Sequence, residues 1–295
     1  MAEFTTLIGG LSFAECPRWH DERLYLSDFY TNRVIAVTVD GRSETVAHVP
    51  EQPAGTGFLP DGRMLIASRR DRKILRREKD GSLVEHADLV HLAPSKLNDM
   101  VVDFEGRAWV GNFGFDFLHG ETVRPTVIIC VQPDGTAMVV ADDLYFPNGM
   151  VVTPDRRTLI VAESFANRLT AFDIVSGSLI KRRVWASFGV RPTTIDPAEA
   201  LEKLEVAPDG ICLDAQGAVW LADASHQRLI RVAEGGLILE ERKTGIGVFA
   251  CMLGGEDGRT LFVCATPDFR ESVASKDHHS SILMTRVAVP HAGLP

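Results

Sequence analysis

Asp61-Gly62-Arg63-Met64-Leu65-Ile66-Ala67-Ser68 is a tight turn followed by an apolar run that ends on a small polar residue. Asp-Gly before such a run is a hairpin signal. The phrase returns at His20 to Asp28, Glu105 to Asn112, Asp155 to Glu163, Gln216 to Asp223 and Asp257 to Cys264. Measured at Arg23, Arg63, Arg107, Arg157, Ala218 and Arg259, the intervals are 40, 44, 50, 61 and 41 residues. Each copy is followed by a second strand-like run, at 33–37, 73–76, 126–131, 168–172, 228–232 and 281–287. A period near the mid-forties with hairpin turns between apolar runs is the pattern of propeller blades. The expectation is an all-β, six-bladed β-propeller occupying residues 1–295 as a single domain. Ring closure is open between two ends: Val287 to Pro295 pairing with the first blade, or Thr5 to Ile8 pairing with the last.

Helical periodicity is confined to Asp196-Pro197-Ala198-Glu199-Ala200-Leu201-Glu202-Lys203, with an N-cap Asp and Pro at the first helical position. It lies in the longest interval, so a short helix is expected between blades four and five. A second enlargement runs from Phe113 to Pro125. Insertions of this kind either frame a site or merely extend a loop. The net charge of −9 and pI near 5.5 argue against a nucleic-acid surface or an anionic membrane as partner. No apolar run is long enough to span a bilayer, and Met1 to Phe13 lacks the pattern of a signal peptide. Five scattered cysteines, Cys16, Cys130, Cys212, Cys251 and Cys264, form no Cys-x-x-Cys pair and read as reduced thiols of a cytoplasmic protein. Composition leaves monomer and small homo-oligomer equally open.

The repeat also serves as a ruler. Eight or nine residues before the marks stand Glu15 in blade one, Asn98 in blade three, Asn148 in blade four and Asp209 in blade five. Blades two and six have small residues around Gly55 and Ala250. The innermost strands of a propeller surround a central channel, so equivalent starts converge on the axis. Four converging oxygen donors, two of them carboxylates, suit one hard divalent cation. Ca²⁺ matches best, Mn²⁺, Fe²⁺ and Mg²⁺ also fit, and the absence of His and Cys makes Zn²⁺ the poorest match. The competing reading is that Asn148-Gly149 and Asp209-Gly210 are turn formers.

Four phrases, Ala14-Glu15-Cys16-Pro17-Arg18-Trp19, Leu97-Asn98-Asp99, Phe146-Pro147-Asn148-Gly149 and Ala207-Pro208-Asp209-Gly210-Ile211, resemble the family of senescence marker protein 30, gluconolactonase and luciferin-regenerating enzyme. The likeness runs from about Phe13 to the C-terminus. It implies a six-bladed propeller with one axial divalent metal. It implies Glu15, Asn148 and Asp209 as direct ligands, and Asn98 as a substrate-orienting residue or an additional metal contact. It also implies hydrolysis of lactones of sugar acids. Three positions depart from the family pattern: Cys16 stands where Gly is common, Lys96 where sugar-lactone members often carry Arg, and Met100 where Gly often follows Asn-Asp. Lys is a point charge rather than a two-pronged donor. With Phe113, Phe115, Phe146 and Phe165 nearby, a more apolar pocket rim is expected, unless those rings only pack the blades.

For a lactonase, Asp209 is expected to orient water or accept its proton, with Asp99 as the rival base. Asn98, Lys96, Phe113 and Phe115 are expected to contact a small-molecule lactone or ester. The chain has no Gly-x-Ser-x-Gly elbow, His-Glu-x-x-His or phosphate-binding glycine loop. His278 and His279 read as a solvated loop, and His119 and His226 as lone histidines. The alternatives are another metal-dependent reaction, such as phosphoester hydrolysis or hydration and dehydration, or a non-catalytic metal- or metabolite-binding propeller.

Overall fold

Each repeat phrase turns the chain from the first to the second strand of a four-stranded antiparallel sheet. Six such sheets are present in the structure, a computed structural model that describes residues 3–295. Their innermost strands are Ala14–His20, Pro53–Phe58, Leu97–Val102, Pro147–Val152, Pro208–Leu213 and Gly247–Gly254. Each inner strand packs against those of both neighbouring sheets, and the sixth packs against the first. The result is a closed ring of six blades, a β-propeller.

The ring closes through its N-terminal end. Thr5–Leu11 pairs antiparallel with Ser280–Arg286 and becomes the outermost strand of blade six. The C-terminal tail instead crosses to blades four and five, where Leu294 bridges Val152 and His291 bridges Asp214. Between blades the core is filled from the second strands, where Trp109, Trp220 and Phe262 are fully buried. Each such ring contributes on the order of 3 kcal/mol of burial. Trp109 Nε1 donates to Asp103 Oδ2 at 3.1 Å, whereas Trp220 Nε1 has no partner.

A buried acid at the end of the second strand recurs in three blades. Asp28 Oδ1 accepts from the Ser12 and Phe13 N–H groups, Glu163 Oε2 from Tyr145 N–H, and Asp223 Oδ1 from Ala207 N–H. Each acid also pairs with an arginine five residues on: Arg33 at 3.1 Å, Arg168 at 2.8 Å and Arg228 at 2.8 Å. A carboxylate receiving backbone N–H groups satisfies donors that no strand partner reaches. It thereby fixes the point at which the chain enters each inner strand.

The expected helix is present as α1, Pro197–Glu202, and Asp196 Oδ1 accepts from Ala198 N–H and Glu199 N–H. A second helix, α2 (Glu271–Asp277), occupies a segment read as loop, and His278 is its left-handed C-cap. His226 and His119 are not alone either, since they sit against Asp223 and Asp116. All five cysteines are buried and unpaired. Among the described residues no helix is long and apolar enough to cross a membrane.

Candidate metal centre

The donors sit where each inner strand slips register against its neighbour. Two residues face one at Ala54-Gly55, Asn98-Asp99, Asn148-Gly149 and Asp209-Gly210. In blade one the slip falls between Glu15 and Arg18, and in blade six between Val248 and Ala250. Such β-bulges bend a strand and re-aim a side chain. Blade six thus presents Phe249 at this register rather than a small residue near Ala250, and blade two presents Ala54 beside Gly55.

The glycines after the donors are not turn residues. Gly149 and Gly210 lie inside strands, and what they supply is space. A Cβ on Gly149 would stand 2.5 Å from Ile211 N, and one on Gly210 2.4 Å from Ala250 Cβ. A Cβ on Gly55 would stand 2.3 Å from Met100 N. The inner strands therefore approach backbone to backbone at the donor level. Cys16, at the first departure, has φ 53°. That left-handed conformation costs a non-glycine residue about 1 kcal/mol.

Glu15, Asn98, Asn148 and Asp209 all line one cavity of about 380 Å³. Its walls are largely aromatic, with Phe13, Phe29, Phe113, Phe146, Phe249 and Phe269 among them. Leu201 and Glu202 of α1 and Phe117 and Leu118 of the 113–125 enlargement also reach it, so both insertions frame the site. A second cavity of about 440 Å³ lies at the far ends of the inner strands, between Trp19, Phe58, Phe104 and Leu294. It contains none of the four donors.

The hydrogen bonds fix how the amides are turned. Asn98 Nδ2 donates to the Pro147 carbonyl at 3.2 Å, an acceptor only, so its Oδ1 is left free. Asn148 Nδ2 donates to Ser164 Oγ at 3.2 Å. Ser164 Oγ spends its own hydrogen on the Pro208 carbonyl at 2.8 Å, so it can only accept from Asn148. Both amide oxygens are therefore available to a ligand. Burial, and after it the nearby Asp99, pushes the Glu15 carboxyl up to about 8. Burial, then Glu15 and Asp99, likewise holds Asp209 well above the carboxylate range. Buried carboxylates pushed up by burial and by neighbouring acids lack positive charge nearby. The donor set fits one hard cation. Among the described residues no three His, Cys, Asp or Glu side chains gather as a metal cluster, as expected when half the donors are amides.

Three expected site residues are placed differently. Asp99 does not line the cavity. Arg18 Nη2 donates to its Oδ1, as does Met100 N–H at 2.8 Å, and both side chains of the pair are buried. Lys96 directs its ammonium to Asp116 Oδ2 at 2.7 Å and is also absent from the cavity wall. Phe115 is fully buried behind the wall, packed edge-on against Phe146 and Phe165. An apolar rim was expected and is found, through Phe113, Phe146 and Phe165 but not Phe115.

The wall residues, of which the sequence reading named only Phe113, obey a second register. Immediately after the second strand of the first five blades come Phe29, Arg69, Phe113, Ser164 and Ala224, and all five line the cavity. The ruler that found the donors, moved six or seven residues past the marks, finds this wall.

In comparison with known proteins, the chain is 25% identical to a 6-deoxy-6-sulfogluconolactonase of Pseudomonas putida over 95% of its own length and 93% of the relative's. It is 27% identical to a pentonolactonase of Haloferax volcanii over 70% of its length and 65% of the relative's. Among solved structures it resembles a calcium-binding protein, regucalcin, of Agrobacterium tumefaciens with a TM-score of 0.79, 18% identity and coverage of 100% and 97% of the two chains. The model of the SMP-30/Gluconolactonase/LRE-like region matches residues 13–266, and this chain belongs to that family.

Proposed function

We propose that this chain is a divalent-metal-dependent hydrolase of lactones. The observation that carries the reading is the convergence of Glu15, Asn98, Asn148 and Asp209 from four blades on one cavity, with both amide oxygens free. Family membership supports it, and so do two relatives whose names state lactonase activity. Glu15, Asn148 and Asp209 would hold the cation and Asn98 would complete or share its shell. Two carboxylates among oxygen donors favour Ca²⁺, with Mn²⁺, Fe²⁺, Mg²⁺ and Zn²⁺ as alternatives. When bound, the cation supplies Lewis acidity that polarises the ester carbonyl and makes water more acidic.

The protein's own groups do the rest. Asp209, the one cavity carboxylate besides Glu15 at the donor level, orients the attacking water and takes its proton. Asp209 is preferred to Asp99 for that role because Asp99 pairs with Arg18 and does not line the cavity. The new C–O bond forms as the carbonyl π bond opens to a tetrahedral oxyanion; its collapse breaks the ring C–O bond, and the proton held at Asp209 passes to the departing alkoxide. Asn98 Oδ1 faces the same space and orients the ring, while the phenylalanine wall limits water to the reacting molecule.

The test is a panel of γ- and δ-lactones followed by acid release, before and after removal of divalent ions. Turnover should vanish on chelation and return with Ca²⁺ or a substitute, and Asp209→Asn should abolish it without lowering the melting temperature. Full activity after thorough chelation would remove the metal role. Wild-type activity in Asp209→Asn would remove the base.

A further inference from the structure

Among the described residues Arg69 is the one cation on the cavity wall, and no carboxylate lies within ion-pair distance of it. Arg69 sits in the ring of wall residues that follows the second strands, between Phe29 and Phe113. Its guanidinium carbon lies 5.0 Å from the Phe29 ring centre and 4.6 Å from that of Phe113. The residue is only 7% exposed. Nη1 donates to the neutral side chain of Gln52 at 2.7 Å, and Nε is buried without a partner among the described residues. Gln52 Nε2 in turn donates to Glu271 of α2 at 3.3 Å, and Arg70 takes that same carboxylate at 2.6 Å. The helix acid thus pairs with Arg70, and Gln52 holds Arg69 in place without neutralising it. No carboxylate among the described residues forms an ion pair with Arg69.

A buried cation without a counter-ion is unfavourable unless a ligand supplies the charge. Glu15 and Asp209 cannot serve both purposes if they balance a divalent cation, as proposed above. The guanidinium lies over two aromatic rings, and its planar fork of donors suits a carboxylate or sulfonate oxygen pair. We propose that Arg69 determines specificity, and that the substrate is a lactone bearing an anionic group, carboxylate or sulfonate, held by Arg69 while the ring lies at the axial donors. This rests on the lactonase reading and narrows it to acidic lactones. Ring opening then converts a monoanion into a dianionic hydroxy acid. The reaction that supplies the substrate must therefore leave an acid group on the lactone.

The experiment compares γ- and δ-lactones carrying a side-chain carboxylate, a side-chain sulfonate or the neutral methyl ester of the carboxylate. It uses full-length protein loaded with Ca²⁺, as wild type, Arg69→Gln and Arg69→Lys. The wild type should favour an acidic lactone over the neutral ester in kcat/KM by about tenfold to a hundredfold, the range of one hydrogen bond to a charged group. That ratio should collapse in Arg69→Gln and partly return in Arg69→Lys. The two acid arms report which anion is taken. A ratio near one in the wild type, or the same ratio in Arg69→Gln, overturns the proposal, and the wild-type arm decides even if the variants fail to fold. Calorimetric binding of the ring-opened dianion and of its monoester separates this from the lactonase reading. If no lactone is hydrolysed but dianion binding depends on Arg69, the anion site stands and the lactonase falls. If neutral and acidic lactones are hydrolysed alike, the lactonase stands and the anion site falls.

Discussion

Replacing Gly149 by alanine tests whether the donor level depends on backbone contact between blades. The added Cβ would lie 2.5 Å from Ile211 N, 2.8 Å from Asp209 O and 2.9 Å from Gly210 Cα. All three atoms belong to the backbone of the next inner strand, which is itself paired within its sheet and packed against blade six. None can rotate away as a side chain would. Overpacking typically costs about 1–3 kcal/mol, and a wholly backbone clash belongs at the upper end, about 3 kcal/mol. For 295 residues, unfolding entropy near 2 cal/mol/K per residue turns this into a fall of about 5 °C in Tm. The strand that must move carries Asp209, so calcium affinity should fall as well. Scanning calorimetry with and without Ca²⁺ measures both. Gly9→Ala is the control, because nothing lies within 4 Å of a Cβ there. A Gly149→Ala protein melting within about 1 °C of wild type would refute the reasoning.

Glu15→Gln removes a buried carboxylate whose charge disfavours the ionised form of Asp209. Metal-free Glu15→Gln should melt above metal-free wild type and lose most of the gain on adding Ca²⁺, which for the wild type is about 2.7 kcal/mol at a hundredfold excess over Kd. A lower melting point without metal would count against a charge deficit at the axis. Arg18→Met leaves the buried Asp99 carboxylate without its partner and should cost about 3–5 kcal/mol in denaturant unfolding; a loss below about 1 kcal/mol would show that the pair is dispensable. His291, in the C-terminal tail, is held below its ordinary value of 6.5 by burial. The fold disfavours its protonated form, so this contribution is intact above pH 6.5 and is lost as pH falls below it. Wild type should lose more stability than His291→Gln between about pH 7.5 and pH 5; parallel losses would remove His291 from the acid response.

The blade count and the convergence of Glu15, Asn98, Asn148 and Asp209 on one cavity were legible because both follow the repeat. The turn phrase recurs at intervals of 40 to 61 residues, and equivalent residues on a closed ring must share a depth. What the one-dimensional pattern could not show is the two-against-one slip at Asn148-Gly149 and Asp209-Gly210. A dipeptide that forms turns elsewhere reads the same inside a strand. The placement of Asp99 and Lys96 away from the cavity wall was hidden for a different reason. Their partners, Arg18 and Asp116, are 81 and 20 residues away, and only folding reveals that these charges are already spoken for. Arg69 lay on the same ruler as Phe29 and Phe113, but a charged residue beyond a strand end looks like any solvated loop. Helix α2 has neither an N-cap side chain nor an apolar stripe long enough to announce it.

The N-terminal strand that completes blade six has a consequence for how the molecule comes apart. A linear stack of repeats can shed its end unit by breaking a single interface. A ring has no end unit. Every blade has two neighbours, and the blade at the seam draws strands from both ends of the chain. The first blade to leave must therefore break two interfaces before any chain entropy is recovered. Resistance to heat and to proteases is then governed by the rate of this first opening rather than by the equilibrium between folded and unfolded chain. Deleting Thr5–Leu11 would leave the seam held only by the packing of blade six on blade one, and its main effect would be on the lifetime of the folded state.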